Sequence, residues 1–146
     1  MKIIVDTNIV FSAILSSKGK IGEHLLNKPS EIQYLSPGFL LEELTLHAQK
    51  IIDLTGLTET EYQQVKAYVI QHIEFIDIKK ITLTNWERSF DLLHNVDEKD
   101  IAFLALTMEA GGVLWTGDKK LIKALQYKKF DNIITTDMIY LKYFGV

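Results

Sequence analysis

The feature that most constrains this chain is the order of its hydrophobic patterns. Short apolar runs alternate, from one end to the other, with longer segments whose apolar residues recur every three or four positions. Such runs read as buried strands and the periodic segments as helices packed by one face. The predicted strands are residues 3–5, 33–35, 75–78, 113–116 and 133–135. Strands separated by helix-length segments cannot pair as hairpins. They pair in parallel through right-handed crossovers, with helices on both faces of the sheet. Sheets of this kind bind ligands at the carboxyl ends of their strands, where the strand order reverses.

Punctuation residues set the expected helices. Asp6-Thr7-Asn8 should cap a helix that buries Ile9, Val10, Ala13 and Ile14, with a break at residues 16–22 and a short helix at 23–27. Ser36 reads as a cap and Pro37 as a first helical turn, opening a helix to about Ile52. Thr58 to Glu61 has a capping-box pattern and opens a helix with Tyr62, Val65, Val69 and Ile73 inward. Helices are further expected at residues 84–93, from Asp97 to Ala110 with Gly111-Gly112 as the stop, after Asp118, and at residues 138–144. The aromatic tail Tyr140, Tyr143 and Phe144 is expected to pack on the sheet edge rather than to form a dimer patch, and Trp86 and Trp115 to be core residues. No repeat or linker divides the chain, so residues 1–146 are expected to form one domain.

Composition narrows the chemistry. The chain has no cysteine, which removes disulfides, thiol nucleophiles and zinc-finger spacings together and fits a reducing cytoplasmic setting. No apolar run approaches the roughly 18 residues of a membrane-spanning helix, and Met1 to Asp6 reads as a strand, not a signal peptide. The formal net charge is −3 and Arg88 is the only arginine, so any contact with a polyanion must be local.

Carboxylates are the remaining source of reactivity. Asp6 follows the first strand and Asp118 the fourth; if those strands are neighbours, both acids face one crevice. Each also has the plain role of a helix cap. Leu40, Leu44, Ala48 and Ile51 form an apolar stripe that Glu43 borders, whereas Glu42 falls nearly opposite it at about 100° per residue. His47, one turn beyond Glu43, is expected to be a partly buried, satisfied histidine. Asp97 is the expected cap of its helix, and Asp100, inside the first turn, is the expected carboxylate turned toward the strand ends. Acids gathered within several Å repel unless cations or protons relieve them, and hard divalent cations suit a site without His or Cys ligands.

The stretches Val5-Asp6-Thr7-Asn8, Leu41-Glu42-Glu43-Leu44, Asp97-Glu98-Lys99-Asp100 with Phe103-Leu104-Ala105-Leu106, and Trp115-Thr116-Gly117-Asp118-Lys119-Lys120-Leu121 together resemble the PIN-domain family over essentially the whole chain. The resemblance implies a three-layer α/β/α sandwich with strand order 3-2-1-4-5, and a magnesium- or manganese-dependent nuclease acting on single-stranded RNA. It maps the family's acidic positions onto Asp6, Glu43, Asp100 and Asp118 as catalytic and metal-holding residues. Asn8 and Thr116 map as polar supports, and Asp97 or Asp137 as a further acid or a cap. Many relatives are toxins paired with an antitoxin protein, and many are homodimers. Lys119, Lys120 and Lys123, just beyond Asp118, are the expected contacts for substrate phosphates. A haloacid-dehalogenase-like phosphatase would need a second aspartate where Asn8 stands, and a PIN-like binding module without catalysis is the other alternative.

Overall fold

Strand β1 (Lys2–Val5) is the centre of the structure, and its alternation decides what lies on each side. Its residues Ile3, Ile4 and Val5 are all fully buried. Ile3 and Val5 face a core shared with Tyr34 and Trp115, while Ile4 faces a second core with Leu35 and Leu114. The period of two thus divides one apolar run between two hydrophobic layers, as a sheet covered on both faces requires. The structure is a computed structural model that describes residues 1–16 and 19–144; Ser17 and Lys18, inside the expected break at 16–22, lie outside the described residues, as do Gly145, Val146 and the side chain of Phe144.

After β1 come α1 (Thr7–Leu15), α2 (Lys20–Leu26), β2 (Gln33–Pro37), α3 (Phe39–Leu46), α4 (Ala48–Thr55), α5 (Glu59–Ile70) and β3 (Ile73–Ile76). The second half runs α6 (Leu83–Leu93), α7 (Ile101–Ala110), β4 (Val113–Trp115), α8 (Lys119–Tyr127), β5 (Ile133–Ile134) and α9 (Thr136–Ile139), closing in a π-helical turn at Tyr140–Phe144. All four strand pairings are parallel and the order is β3-β2-β1-β4-β5. The α/β class and strand order are therefore those expected. One face is covered by residues of α1 to α5, such as Val10, Leu40 and Tyr62; the other by residues of α6 to α8, such as Leu93, Leu104 and Leu125. Trp115 is fully buried, Trp86 packs half-buried against the second core, and Tyr143 packs against the first. Among the described residues no helix is long and apolar enough to cross a membrane.

Several expected boundaries are corrected. Ser36 and Pro37 do not open a helix: they extend β2, in register with Phe75 and Ile76. The Ser36 hydroxyl donates to the Val5 carbonyl at 2.9 Å, so it serves the neighbouring strand rather than a cap. The helix expected to reach Ile52 is two helices, broken at His47, whose φ of −99° and ψ of 10° end α3 and begin α4. Strand β3 begins two residues earlier than expected and takes Ile73 from the helix; Asp77 then caps a 3₁₀ turn at Ile78–Lys80 by accepting from the Lys79 amide. The capping box at Thr58 and Glu61 is formed as expected.

The turn into β4 brings its backbone close against β1. Gly111 ends α7 at φ +65°, the left-handed conformation that glycine adopts without cost. At Gly112 the constraint is space: a Cβ there would collide with the Lys2 carbonyl oxygen and come within 3.1 Å of Ile4 Cδ1. Two glycines with different reasons thus bring β4 against β1, the pairing on which the site depends.

An acidic cleft at the ends of strands β1 and β4

The last paired residues of β1 and β4 are Val5 and Trp115, so the next residues, Asp6 and Thr116, leave the sheet side by side. Both are buried, Asp6 at 4% exposure and Thr116 at 0%. Asp6 caps α1 by accepting from the Ile9 amide at 2.9 Å. The Thr116 hydroxyl donates to the Asp6 carboxylate and accepts from the Asp118 amide at 3.1 Å, joining the two strand-end acids through one side chain. Asp118 in turn caps α8, accepting from the amides of Lys120 at 3.0 Å and Leu121 at 3.1 Å.

The third strand-end neighbour is the start of α7. Asp97 caps the 3₁₀ turn Glu98–Asp100 by accepting from the Lys99 amide at 2.9 Å. That turn sets Asp100 at the N-cap of α7 without a capping bond of its own, so its carboxyl is left to face the other acids. Carboxylate oxygens of Asp97, Asp100 and Asp118 lie within 4.8 Å of one another. Asp97 therefore caps this 3₁₀ turn and not the helix to Ala110 that it was expected to open, whose N-cap is Asp100, and it is also a member of the three-acid group.

Asp6, Asn8, Glu43, Asp97, Asp100 and Asp118 line one cleft of about 210 Å³. Glu43 stands on its wall from α3 and is not part of the three-acid group. Asp137 lies away from the cleft, exposed and 3.7 Å from Lys20. Lys119, Lys120 and Lys123 are exposed on α8 and do not line the cleft. Five residues absent from the sequence-based site also line it: Thr7, Phe11, His47, Lys99 and Phe103. His47, expected to be partly buried, is exposed. Lys99 had one signal, its place between two acids of the group; Phe11 had none in the pattern of a helix read as core.

Crowding shows in the protonation of the acids. Burial pushes Asp6 up to about 6, aided by the Asp118 charge and opposed by its hydrogen bonds from Ile9, Thr116 and Asn8. Burial, together with the charges of Asp97, Asp6 and Asp118, pushes Asp100 up to about 7. Between the ordinary value of 3.8 and these raised values, the folded chain holds more protons than the unfolded one. Stability in the absence of metal is therefore expected to fall as pH rises from about 4 to about 7 and then to level off. Asp6 alone costs the folded state on the order of 3 kcal/mol above its folded pKa. Thermal melts in a chelating buffer across this range check the slope, and a melting temperature that rises over it would contradict the crowding.

The family model described as PIN domain matches residues 4–136. The chain belongs to the PIN domain family. One chain in the crystal structure of VapBC2 from Rickettsia felis, bound to a DNA fragment from their promoter, shares the fold of this PIN domain with a TM-score of 0.67. The two are 16% identical, and the alignment covers 92% of this chain and 97% of that one. No curated protein sequence matches the chain.

Proposed function

We propose that this PIN domain is a metal-dependent endonuclease that hydrolyses phosphodiester bonds in single-stranded RNA. The observation that carries the reading is the convergence of Asp6, Asp97, Asp100 and Asp118, from three separate turns, on one cleft with Glu43 on its wall. A cluster that destabilises its own fold needs a reason outside stability, and perturbed carboxylates in a cleft are a mark of function.

The donor set fits a hard cation: the clustered ligands are all carboxylate oxygens, with neither thiolate nor imidazole among the three. Asp97, Asp100 and Asp118 would hold magnesium or manganese, with Asp6 and Glu43 beside them. When bound, the cation supplies Lewis acidity toward phosphoryl oxygens and acidifies water. The chain's own residues do the positioning. Thr116 fixes Asp6 and Asp118 in one orientation, and the helix-start amides keep Asp6, Asp97 and Asp118 from turning away. Asn8, exposed at the cleft mouth, is placed to donate to a phosphate oxygen, and Lys99 offers positive charge inside the cleft. Lys119, Lys120 and Lys123 extend that charge along the adjoining helix face, where they would follow the strand's backbone. The same reading includes an antitoxin protein as partner, supported by membership of a family in which many members are toxins paired with one and by the shared fold with a VapBC2 chain.

The test is cleavage of a single-stranded RNA by purified protein. Internal cuts are expected with magnesium or manganese and none after chelation. Cutting that survives the chelator, or intact RNA with either metal, would overturn the reading.

A further inference from the structure

The wall of the cleft is not wholly acidic. Helix α1 turns Thr7, Asn8 and Phe11 toward it, three residues at helical spacing, while Ile9, Val10, Ala13 and Ile14 go into the core. From the facing element, Glu43 and His47 are likewise one turn apart, and His47 falls at the break between α3 and α4. The break brings the imidazole against the Phe11 ring: the centroids are 5.8 Å apart and the planes cross at 83°, an edge-to-face contact. Phe11 is half-buried and braced by the first core, whereas His47 is exposed. An exposed ring is thus held at one angle by a braced one, inside a cleft whose other residues are nearly all polar.

Such a pair has little reason to stand beside carboxylates if the cleft takes only ions. A nucleic-acid strand, in contrast, carries a flat apolar base within one nucleotide of every phosphate. Base faces stack on aromatic rings in a sequence-tolerant way, and only unpaired bases have a face to offer. We propose that the Phe11–His47 pair is a nucleobase platform, on which a base next to the scissile phosphate stacks, so that the cleft selects single strands over duplexes with little preference for sequence. The inference rests on the nuclease reading and deepens it by naming what the site recognises besides phosphate.

The experiment measures binding to the full chain carrying Asp6→Asn, in magnesium buffer, with two labelled probes of equal length: a mixed-sequence single-stranded RNA and a chain of abasic ribose phosphates. His47→Ala is expected to weaken binding of the RNA about fivefold or more and to leave the abasic probe unchanged. His47→Phe, which keeps a flat ring, is expected to restore most of the affinity. Equal losses on both probes would make His47 a backbone contact and overturn the platform, as would no loss on either or no rescue by phenylalanine. The two readings fail separately. If the chain with Asp6 intact cleaves RNA while His47→Ala changes neither affinity, only the platform falls. If neither probe binds and no RNA is cut, the nuclease reading falls and takes the platform with it.

Discussion

In an Asp100→Asn protein, magnesium-dependent RNA cleavage is expected to drop by at least about 100-fold while the metal-free melting temperature rises above pH 7. The two changes have one origin. Asp100 makes no capping bond, and its carboxyl is forced up to about 7 by burial and by Asp97, Asp6 and Asp118, so in neutral solution it resists the charge that the proposed metal site would require. Asparagine keeps the shape and removes that charge. Because Asp100 is only half-buried, solvent screens part of the penalty, and the gain is on the order of 1 kcal/mol, or about 3 °C for a domain of this size. The expected gain should shrink as pH falls toward 4, where the wild-type carboxyl is protonated. Activity lost together with stability would instead make Asp100 a structural residue, and unchanged activity would remove it from the site. Added magnesium should stabilise the parent chain more than the variant, because only the parent keeps the full set of acidic ligands.

Gly112→Ala is expected to have the largest effect on stability. The added Cβ meets the Lys2 carbonyl oxygen, a backbone atom that cannot rotate away, so β4 has to move off β1 or the turn has to rebuild. A cost of about 3 kcal/mol, close to 10 °C in melting temperature, is the scale of such a clash. Gly111→Ala is the control. Nothing lies within 4 Å of its missing Cβ, and only the positive φ opposes a side chain, so the loss there is about 1 kcal/mol. Calorimetry of the two single variants decides between space and conformation. Equal losses would show that the β1–β4 approach is not what Gly112 protects.

Much of the architecture was legible because both periods are local. The run Ile3-Ile4-Val5 and the spacing of Leu40 and Leu44 each depend on the chain's own pattern of burial, and the structure places these residues as the pattern implies. The strand order is different: alternation of strands and helices requires a parallel sheet but does not rank its strands, and that order came from the family resemblance. The errors arose where a distant partner outweighed a local signal. Ser36-Pro37 has the form of a helix start, but the Ser36 hydroxyl bonds Val5, 31 residues away, and Pro37 completes the strand beside Ile76. No local rule sees that bond. The acids at strand ends could be nominated because position along a strand is a sequence property. Phe11 and His47 could not, since their place in the cleft depends on how α1 meets the break after α3. Asp97 was legible in one of its two parts only; the cap is local, while its approach to Asp118 joins two distant turns.

The double use of Asp6, Asp97 and Asp118 has a consequence for ligand binding. Each already gives one oxygen to amides at a helix start, at distances between 2.9 and 3.1 Å. A free aspartate on a loop would have to surrender its rotamer freedom on meeting a cation, and that entropy would be subtracted from affinity. Here folding has done the ordering. Recruitment of an ion should then be governed by desolvation and charge, with little conformational adjustment, so titration calorimetry on the metal-free protein should register ion binding without the heat-capacity change of a segment folding around it. The same arrangement sets a rule for mutagenesis of this cleft: asparagine removes the charge and leaves the helix start intact, whereas alanine removes both, and an alanine scan would report frayed helices as if they were lost chemistry.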